Sequence, residues 1–300
     1  MDYTFDKNRK RVKSCPCGRS NSDGKFTPYI GFDTKGYCHS CLKTFLPDKP
    51  YNFSYVPRKI KPKKIDFIPN EITQNISNNF NDNFSLFLRG IFGENITKKL
   101  IKKYNIGYTD KFRDATVFWQ NDINNRLRSG KIIFYNQLTG KRDKSKNINW
   151  IHSIYKLSDY ALNQSLFGEH LLNLEPNKKV ALVESEKTAI ICSVVFPEFL
   201  WLATGGSAGL KLEKLKVLNG KDIILFPDLG FHSKWMAELT LLAEYIYFKS
   251  WIVSDYLEKN ANKDEVDSGY DLADFVLMNI DSETGWLLNE YGYPLFWDNI

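Results

Sequence analysis

Four cysteines near the N-terminus form two closely spaced pairs. Cys15 and Cys17 are separated by one residue, Cys38 and Cys41 by two, and twenty residues lie between the pairs. Thiolates at such spacing can converge on one point, where four of them complete a tetrahedral structural zinc site. The sequence therefore predicts a bound Zn²⁺ ion in a small zinc-ribbon-like module.

Other interpretations of the cysteines remain open. The C-x-C pair is tighter than the usual C-x-x-C, His39 could replace one cysteine, and four reduced thiols without a metal are the alternative. A module of about 30 residues buries too little apolar surface to fold alone, so a metal would supply much of its folding free energy. The fifth cysteine, Cys192, lies in an apolar helical pattern and is predicted to pack in the core.

A second group of residues suited to chemistry is acidic and lies in the C-terminal half. Glu184 and Asp228 each follow a short apolar run, in "ALVESEKTAI" and "IILFPDLG", and Asp271 and Asp274 lie in "GYDLADF". Functional groups collect at the carboxyl ends of strands in open α/β sheets, and two carboxylates there suit Mg²⁺ or Mn²⁺. The alternative is that these residues cap helices, whose positive ends favour acidic side chains.

A parallel sheet is needed to position these carboxylates, and the sequence from Lys178 onward predicts one. The expected strands are the short apolar runs in "KKVALVES", "FLWLATGG", "KDIILFPD" and "SWIVSDYL". The helical patterns between them are "EKTAIICSVVF", "GLKLEKLKVL" and "KWMAELTLLAEYIYF". Strands that alternate with helices at this spacing form βαβ units, so we expect an α/β domain with a mostly parallel sheet.

The preceding region has a different pattern. Helical periodicity runs from Phe84 to Tyr104 in two segments, and Asn95 can cap the second of them. The β-branched and aromatic residues of "ATVFWQND" and "SGKIIFYNQLTGKR" then predict antiparallel strands. We therefore expect a mixed α+β subdomain in front of the α/β domain.

Charge is unevenly distributed along the chain. Residues 1–75 carry a net charge of +8, residues 76–150 another +8, and residues 151–300 a net charge of −10. Basic surfaces attract nucleic-acid phosphates through counterion release, and clustered carboxylates commonly bind divalent cations. The pattern favours a nucleic-acid-binding half and a metal-binding half, with ordinary solvated charge as the alternative.

These patterns divide the chain into four regions. They are a zinc-ribbon-like module over residues 1–46, a Pro/Lys-rich linker over 47–80, the basic subdomain over 81–176, and the α/β domain over 177–300 with an aromatic C-terminal extension. No apolar run is long enough to cross a membrane, and the N-terminus lacks the apolar core of a secretory signal. We expect the protein to be cytoplasmic, and disulfides are rare in the cytoplasm.

Taken together, these segments resemble the Toprim family, the metal-binding domain of bacterial-type primases, type IA and II topoisomerases and related nucleases. "LVESEKTAI" is similar to the family's glutamate segment, "LATGGSAGL" to the glycine turn after it, and "ILFPDLG" to its Asp-x-Asp strand. "SGYDLADF" is similar to the G-x-D-x-x-D segment of phage and plasmid primases. The cysteine module and "LRSGKIIFYNQLTGKRDK" resemble the zinc-binding and basic regions that precede Toprim in primases, so the likeness covers most of residues 15–275.

The resemblance implies a primase-like protein of a mobile element or phage, which transfers nucleotides on a single-stranded DNA template. It implies catalytic roles for Glu184 and Asp228 through Mg²⁺ or Mn²⁺. The residues that would hold further Mg²⁺ are Asp271 and Asp274, and those that would hold template or nucleotide phosphate are Lys131, Lys141, Arg142 and Lys144. The sequence contains no P-loop motif, so strand unwinding would come from a separate helicase.

The zinc module would contact the single-stranded template. Phe26, Tyr29 and Tyr37 are candidate surfaces for base stacking. The alternative is that these aromatic side chains pack around the metal site, because small modules bury their aromatics first.

One departure from the family pattern bears on activity. Gly230 stands where the second aspartate of Asp-x-Asp is expected, which removes a carboxylate that the family uses for metal. Asp271 or Asp274 could substitute for it. Otherwise the chain could be a catalytically inactive DNA-binding accessory protein on the same scaffold, and a Toprim nuclease is a further alternative. The next residues, His232 and Lys234, could contact phosphate or lie at an exposed helix start.

Overall fold

A computed structural model describes residues 4–46 and 65–280, apart from 75, 78–80, 110, 158, 207–208 and 262–268. The chain divides into two compact units, residues 1–62 and 63–300. Most of the predicted linker and the predicted aromatic C-terminal extension lie outside the described residues. Within the described ranges, every helix is too short or too polar to cross a bilayer.

The N-terminal unit is built on a small antiparallel sheet. Its strands, in sheet order, are β1 (Phe26–Pro28), β2 (Gly36–Cys38) and β3 (Thr44–Phe45). The buried side chain of Asn21 fixes the segment before the sheet, since its Nδ2 donates to the carbonyls of Arg9, Val12 and Phe26 at 2.7, 2.9 and 3.0 Å. Its Oδ1 accepts from the N–H of Phe26 at 2.6 Å. One amide therefore ties the chain entering the cysteine cluster to the first strand.

The second unit contains a five-stranded antiparallel sheet. Its strands, in sheet order, are β4 (Ile76–Ser77), β5 (Ile106–Thr109), β6 (Ala115–Asn121), β7 (Leu127–Phe134) and β8 (Asn149–Trp150). Its helices are α1 (Asn70–Gln74), α2 (Asn83–Tyr104) and α3 (Ile151–Ile154). The sequence predicted β6 and β7 as antiparallel strands, which is confirmed. Ile68 and Ile72 are buried in a cluster with residues of β6 and β7, so described residues within the predicted linker range belong to this unit.

Helix α2 consists of two segments, as its pattern predicted. Asp82 caps its start by accepting from the N–H groups of Phe84 and Ser85, each at 3.1 Å. The non-helical backbone of Gly93, with φ 76° and ψ 170°, separates the two segments. Because this break comes two residues before Asn95, Asn95 lies inside the first turn of the second segment and not at its cap.

The second sheet has four strands, all parallel, as the α/β prediction required. The strands, in sheet order, are β10 (Leu200–Ala203), β9 (Val180–Val183), β11 (Asp222–Phe226) and β12 (Ser250–Val253). The helices of this region are α4 (Glu186–Val195), α5 (Leu212–Leu215), α6 (His232–Leu242), α7 (Tyr256–Asn260) and α8 (Leu272–Asn279). The chain passes from β9 to β10, which lies on one side of β9, whereas β11 and β12 lie on the other side of β9. The strand order therefore reverses between β9 and β11.

Two predicted helices are shorter in the structure. The pattern over 209–218 gives α5 followed by the 3₁₀ turn Lys216–Leu218. The helical pattern of the sequence continues to Phe248, but helix α6 ends at Leu242. Beyond it Ile246 and Phe248 are buried while Tyr245 and Tyr247 are exposed. The N–H groups of Glu244, Tyr245 and Ile246 donate to the carbonyls of Leu241 and Leu242, so the chain forms turns after α6 before it enters β12.

The two sheets of the second unit share one hydrophobic core. Tyr104, at the end of α2, stacks on Phe167 with ring centroids 5.4 Å apart, and its hydroxyl donates to the carbonyl of Trp201 in β10 at 3.2 Å. Phe118 of β6 meets Phe167 edge-on at 5.6 Å. Phe167 also exchanges two backbone hydrogen bonds with Ala203. These contacts fix the antiparallel sheet against the parallel sheet.

Candidate metal sites and phosphate-binding surface

The four N-terminal cysteines come together in the folded unit. Their Sγ atoms all lie within 4.8 Å of one another. Each pair is carried by a turn, since the carbonyl of Cys15 accepts from the N–H of Gly18 at 2.9 Å and that of Cys38 from the N–H of Leu42 at 2.8 Å. Four sulfurs around Zn²⁺ at 2.3 Å would be about 3.8 Å apart. The cysteine set can therefore hold a zinc ion.

The surroundings of these thiols differ. Burial raises the pKa of Cys15 to about 12. At Cys38, burial is outweighed by hydrogen bonds from the backbone N–H groups of Cys41 and Ser40 and from neighbouring thiols, which lower its pKa to about 7. A hydrogen bond from the Cys15 thiol also lowers the pKa of Cys17. Because zinc binds the thiolate, the lowered pKa values of Cys17 and Cys38 favour metal binding.

The aromatic residues of this unit mostly serve packing. Phe26 and Tyr29 are buried, and Tyr37 is half-buried with its ring edge-on to His39 at 4.8 Å. His39 lies outside the sulfur cluster. The packing interpretation thus accounts for Phe26 and Tyr29. Phe5 stacks on Tyr29 with ring centroids 4.8 Å apart and is 46% exposed.

Two of the predicted acidic residues lie at neighbouring strand ends. Glu184 directly follows β9, and Asp228 is the second residue after β11. These strands are paired in parallel with Val183 opposite Phe226, so their ends are about 5 Å apart. This is the point where the strand order reverses, and open α/β sheets place their ligand crevice there.

Both of these carboxyl groups are half-buried. Burial, together with the negative charges of Asp271 and Glu184, raises the pKa of Asp228 to about 8, although Lys187 opposes this shift. Burial also raises the pKa of Glu184, against the attraction of Lys131 and Lys234. Ionisation of both carboxyl groups is therefore unfavourable here, and a bound cation would favour it.

The other two predicted acidic residues are paired with a lysine. Asp271 caps α8 by accepting from the N–H of Asp274 at 2.9 Å, and Asp274 accepts from the N–H of Asp271 at 3.3 Å in return. The ammonium of Lys187 lies 3.3 Å from Asp271 and 3.2 Å from Asp274. Their negative charge, with direct hydrogen bonds, raises the pKa of this buried lysine despite desolvation. The helix-cap interpretation thus holds for Asp271.

Gly230 lies in the turn between β11 and α6. Its φ of 85° falls in the left-handed region that favours glycine, and a Cβ there would meet no atom within 4 Å. The carboxylate of Glu258 accepts from the N–H groups of Gly230 at 3.3 Å and His232 at 3.1 Å. Lys234 is exposed near the start of α6. A glutamate from α7 therefore fixes the loop in which the family pattern expects a second aspartate.

Lys131, predicted to hold phosphate, is buried between the two sheets. Its ammonium lies 3.1 and 3.0 Å from the two carboxylate oxygens of Glu186 and 3.0 Å from the carbonyl oxygen of Gly205. The three donors of the ammonium therefore all have acceptors. The side chains of Lys131 and Glu186 are 8% and 1% exposed.

Three buried charged residues, Glu186, Lys187 and Lys214, were not among the predicted site residues. Lys214 is buried, donates to the carbonyl of Thr204 at 2.9 Å, and has its pKa lowered to about 8 by burial. The available signal for Glu186 and Lys187 was α4: a helix that is apolar around most of its surface must bury the charged residues in its first turn, and buried charges need partners.

A cavity of about 320 Å³ opens beside these groups. The residues that line it include Lys131, Arg142, Glu184, Gly205 and Asp271. Basic side chains from the antiparallel sheet region thus face acidic side chains from the parallel sheet across one space. A ligand bound there would contact both halves of the second unit.

The remaining predicted basic residues lie on the hairpin after β7. Lys141, Arg142 and Lys144 line an open cavity of about 840 Å³, and Arg142 also lines the smaller cavity beside Glu184. Lys141 and Lys144 are exposed. The structure therefore gathers three of the four predicted basic residues at one surface and keeps Lys131 in the interior.

A divalent cation at Glu184 and Asp228 would need further oxygen ligands from water or a substrate. In the portion of the chain that the structure describes, the cysteines form the group of three or more potential ligands that converge within 4.8 Å. Glu184 and Asp228 can offer two carboxylates. Mg²⁺ is commonly held by one or two carboxylates and completes its shell with waters and substrate phosphates. The donor set of two carboxylates would suit such an ion and is too small to cage an ion with protein ligands alone.

Comparisons with known proteins give one family match and several structural likenesses. A family described as "Domain of unknown function (DUF6371)" matches residues 82–229. No curated protein matches the chain. The primase fragment of the bacteriophage T7 primase-helicase protein is 17% identical with a TM-score of 0.39, over 90% of this chain and 98% of that one.

Two bacterial structures are also similar. The Aquifex aeolicus primase (zinc-binding and RNA polymerase domains) is 14% identical with a TM-score of 0.38, over 67% of this chain and 64% of that one. The E. coli primase catalytic core is 11% identical with a TM-score of 0.35, over 60% and 61%. The chain thus spans less than two thirds of these bacterial structures.

Proposed function

We propose that this protein is a primase-like nucleotidyl transferase, with a Toprim-like site that acts on single-stranded DNA. The observation that carries the proposal is the placement of Glu184 and Asp228. They follow adjacent, in-register parallel strands at the point where the strand order reverses. Both carboxyl groups have raised pKa values, which is the property expected of groups at a functional site.

The proposal assigns a role to the acidic residues, the basic residues and the zinc module. Glu184 and Asp228 would hold Mg²⁺ or Mn²⁺, which when bound neutralises nucleotide phosphates and favours attack by a hydroxyl group. Arg142, which lines both cavities, is placed to contact a phosphate beside Glu184. Lys141 and Lys144 would hold the template backbone. The zinc module would contact single-stranded template, and a separate helicase would unwind the duplex.

A second candidate is a DNA-binding accessory protein without catalysis. The pairing of Asp271 and Asp274 with Lys187 favours it, since neither aspartate then replaces the carboxylate that is missing at Gly230. Such a protein would keep the basic surface and lose the chemistry. A mobile-element or phage origin is compatible with both candidates.

A primer-synthesis assay separates these candidates. Labelled nucleotides, single-stranded DNA and Mg²⁺ or Mn²⁺ should give extended products with the wild-type chain, and Glu184→Gln and Asp228→Asn should each reduce product at least 100-fold. Glu198→Gln, at an exposed acidic residue, is the matched control and should retain activity. Binding of the DNA without product in either metal would refute catalysis, and shortening of the input strand would indicate a nuclease.

A further inference from the structure

The start of α8 carries two carboxylates whose negative charge is neutralised from within the protein. The side chain of Lys187 extends from α4 so that its Nζ lies 3.3 Å from Oδ2 of Asp271 and 3.2 Å from Oδ1 of Asp274. This side chain is 10% exposed. An ammonium ion thus occupies the space between the two carboxylates that a divalent cation would need.

The other oxygen contacts of the pair are also taken. Oδ1 of Asp271 accepts from the N–H of Asp274 at 2.9 Å, and Oδ2 accepts from the hydroxyl of Thr188 at 2.9 Å in addition to Lys187. Oδ2 of Asp274 accepts from the N–H of Asp271 at 3.3 Å. All four carboxylate oxygens therefore have a protein donor. A cation that entered would have to displace donors and would be repelled by the ammonium.

We propose that Lys187 is a built-in counter-ion that takes the place of a divalent cation at Asp271 and Asp274. The acidic edge then has room for one exchangeable cation, at Glu184 and Asp228. This second statement rests on the proposed function, whereas the first does not. In this account Lys187 is a positioning residue: it holds the start of α8 against α4 without an added metal.

The proposal is tested by counting Mn²⁺ ions with electron paramagnetic resonance, on full-length protein already loaded with zinc. Lys187→Met should bind one more Mn²⁺ per chain than wild type, because the ammonium is removed and the two carboxylates remain. The additional ion should be lost in the double variant Lys187→Met/Asp271→Asn. Lys187→Arg keeps the positive charge and should gain no ion. A Lys187→Met protein that binds no more Mn²⁺ than wild type would overturn the proposal.

A comparison without substitution of Lys187 guards against misfolding of that variant. Wild type and Asp271→Asn should bind the same number of Mn²⁺ ions, and fewer ions in Asp271→Asn would also overturn the proposal. Asp228→Asn reports separately on the proposed function. If wild type and Asp228→Asn bind Mn²⁺ equally, the cation at Glu184 and Asp228 is refuted, yet the gain in Lys187→Met still tests the counter-ion.

Discussion

The buried pair of Lys131 and Glu186 joins the two sheets of the second unit. Lys131 lies on β7 and Glu186 opens α4, and the same ammonium also holds the carbonyl of Gly205. Desolvation of both charges offsets much of their attraction, so the net contribution of such a pair is small. Removing one partner is different, because it leaves the other charge buried and uncompensated.

We therefore predict that Lys131→Met lowers the free energy of unfolding by about 3 kcal/mol. The double variant Lys131→Met/Glu186→Met should be more stable than the single variant, since no lone charge remains. Urea denaturation measures both. Lys216→Met, which breaks an exposed pair with Glu213, is the control and should change stability by less than about 1 kcal/mol. Equal stability of the single and double variants would contradict this account.

The buried carboxyl group of Glu169 makes the stability of the protein depend on pH. Its carboxylate accepts from the N–H groups of Ile123 and Leu166 at 3.0 and 3.1 Å, and burial raises its pKa to about 7. The folded state thus binds the proton more tightly than the unfolded chain, whose glutamate pKa is 4.5. The stability from this group is complete below about pH 4.5 and is lost as pH rises through 7.

We predict that Glu169→Gln removes this loss. The variant should gain about 3 kcal/mol relative to wild type between pH 4.5 and pH 8, because each pKa unit corresponds to about 1.4 kcal/mol. The measurement is the free energy of unfolding of both proteins across this range. Parallel pH curves for the two proteins would show that Glu169 ionises normally in the folded state.

At the scale of elements, substitution of two glycines in α2 by alanine should change stability in opposite directions. Gly93 has φ 76°, whereas Gly90 is helical, and a Cβ at either position would meet no atom within 4 Å. Gly93→Ala should lower the free energy of unfolding by about 1–2 kcal/mol because alanine is strained at positive φ. Gly90→Ala should raise it by about 0.5–1 kcal/mol because alanine favours the helix. Urea denaturation compares the pair, and changes of equal sign would contradict the break at Gly93.

The helices and strands were largely predictable, because the spacing of apolar residues and the positions of glycine and asparagine are local properties of the sequence. The runs that became β9, β10 and β11, and the break in α2 before Asn95, follow from residue type and spacing alone. The end of α6 at Leu242 was not predictable in this way. The apolar residues beyond it fit a helical pattern, and only packing shows that alternate side chains are buried.

The sequence predicted which residues lie at the strand ends of the candidate site, and it did not predict their ion-pair partners. Glu184 and Asp228 follow from the rule that parallel strands end at one edge. The pairing of Lys131 with Glu186, 55 positions apart, and of Lys187 with Asp274, 87 positions apart, depends on how sheets and helices pack. The resemblance to primases implied that Lys131 holds phosphate, whereas the structure buries this lysine against Glu186.

At the scale of the whole molecule, the two units should respond separately to loss of zinc. We predict that wild type binds one zinc per chain, that Cys38→Ser loses it, and that Cys192→Ala retains it, since Cys192 is buried in the core of the second unit. Elemental analysis measures the metal. A chelator should unfold the N-terminal unit, whose folding depends on metal, and should leave the cooperative unfolding of the second unit unchanged. Equal zinc content in wild type and Cys38→Ser would refute the cysteine site.

The charge asymmetry predicts how the whole chain binds single-stranded DNA. Affinity should fall steeply with added salt, and each lysine that neutralises a phosphate should contribute about 0.7 to the slope of log K against log salt concentration. Lys141→Ala and Lys144→Ala should each reduce the slope by about that amount. Lys249→Ala, an exposed lysine of the acidic half, is the control and should leave the slope unchanged. A flat salt response would contradict a role for the basic surface.

The central claim is that Glu184 and Asp228 together hold a divalent cation, and crystals soaked in Mn²⁺ test it most directly. Anomalous difference density should show a peak between these two carboxylates, and the peak should be absent from Asp228→Asn crystals. The space between Asp271 and Asp274 should hold the Lys187 ammonium and no anomalous peak. A soaked wild-type crystal with no peak at Glu184 and Asp228, at a Mn²⁺ concentration that fills other sites, would contradict the account.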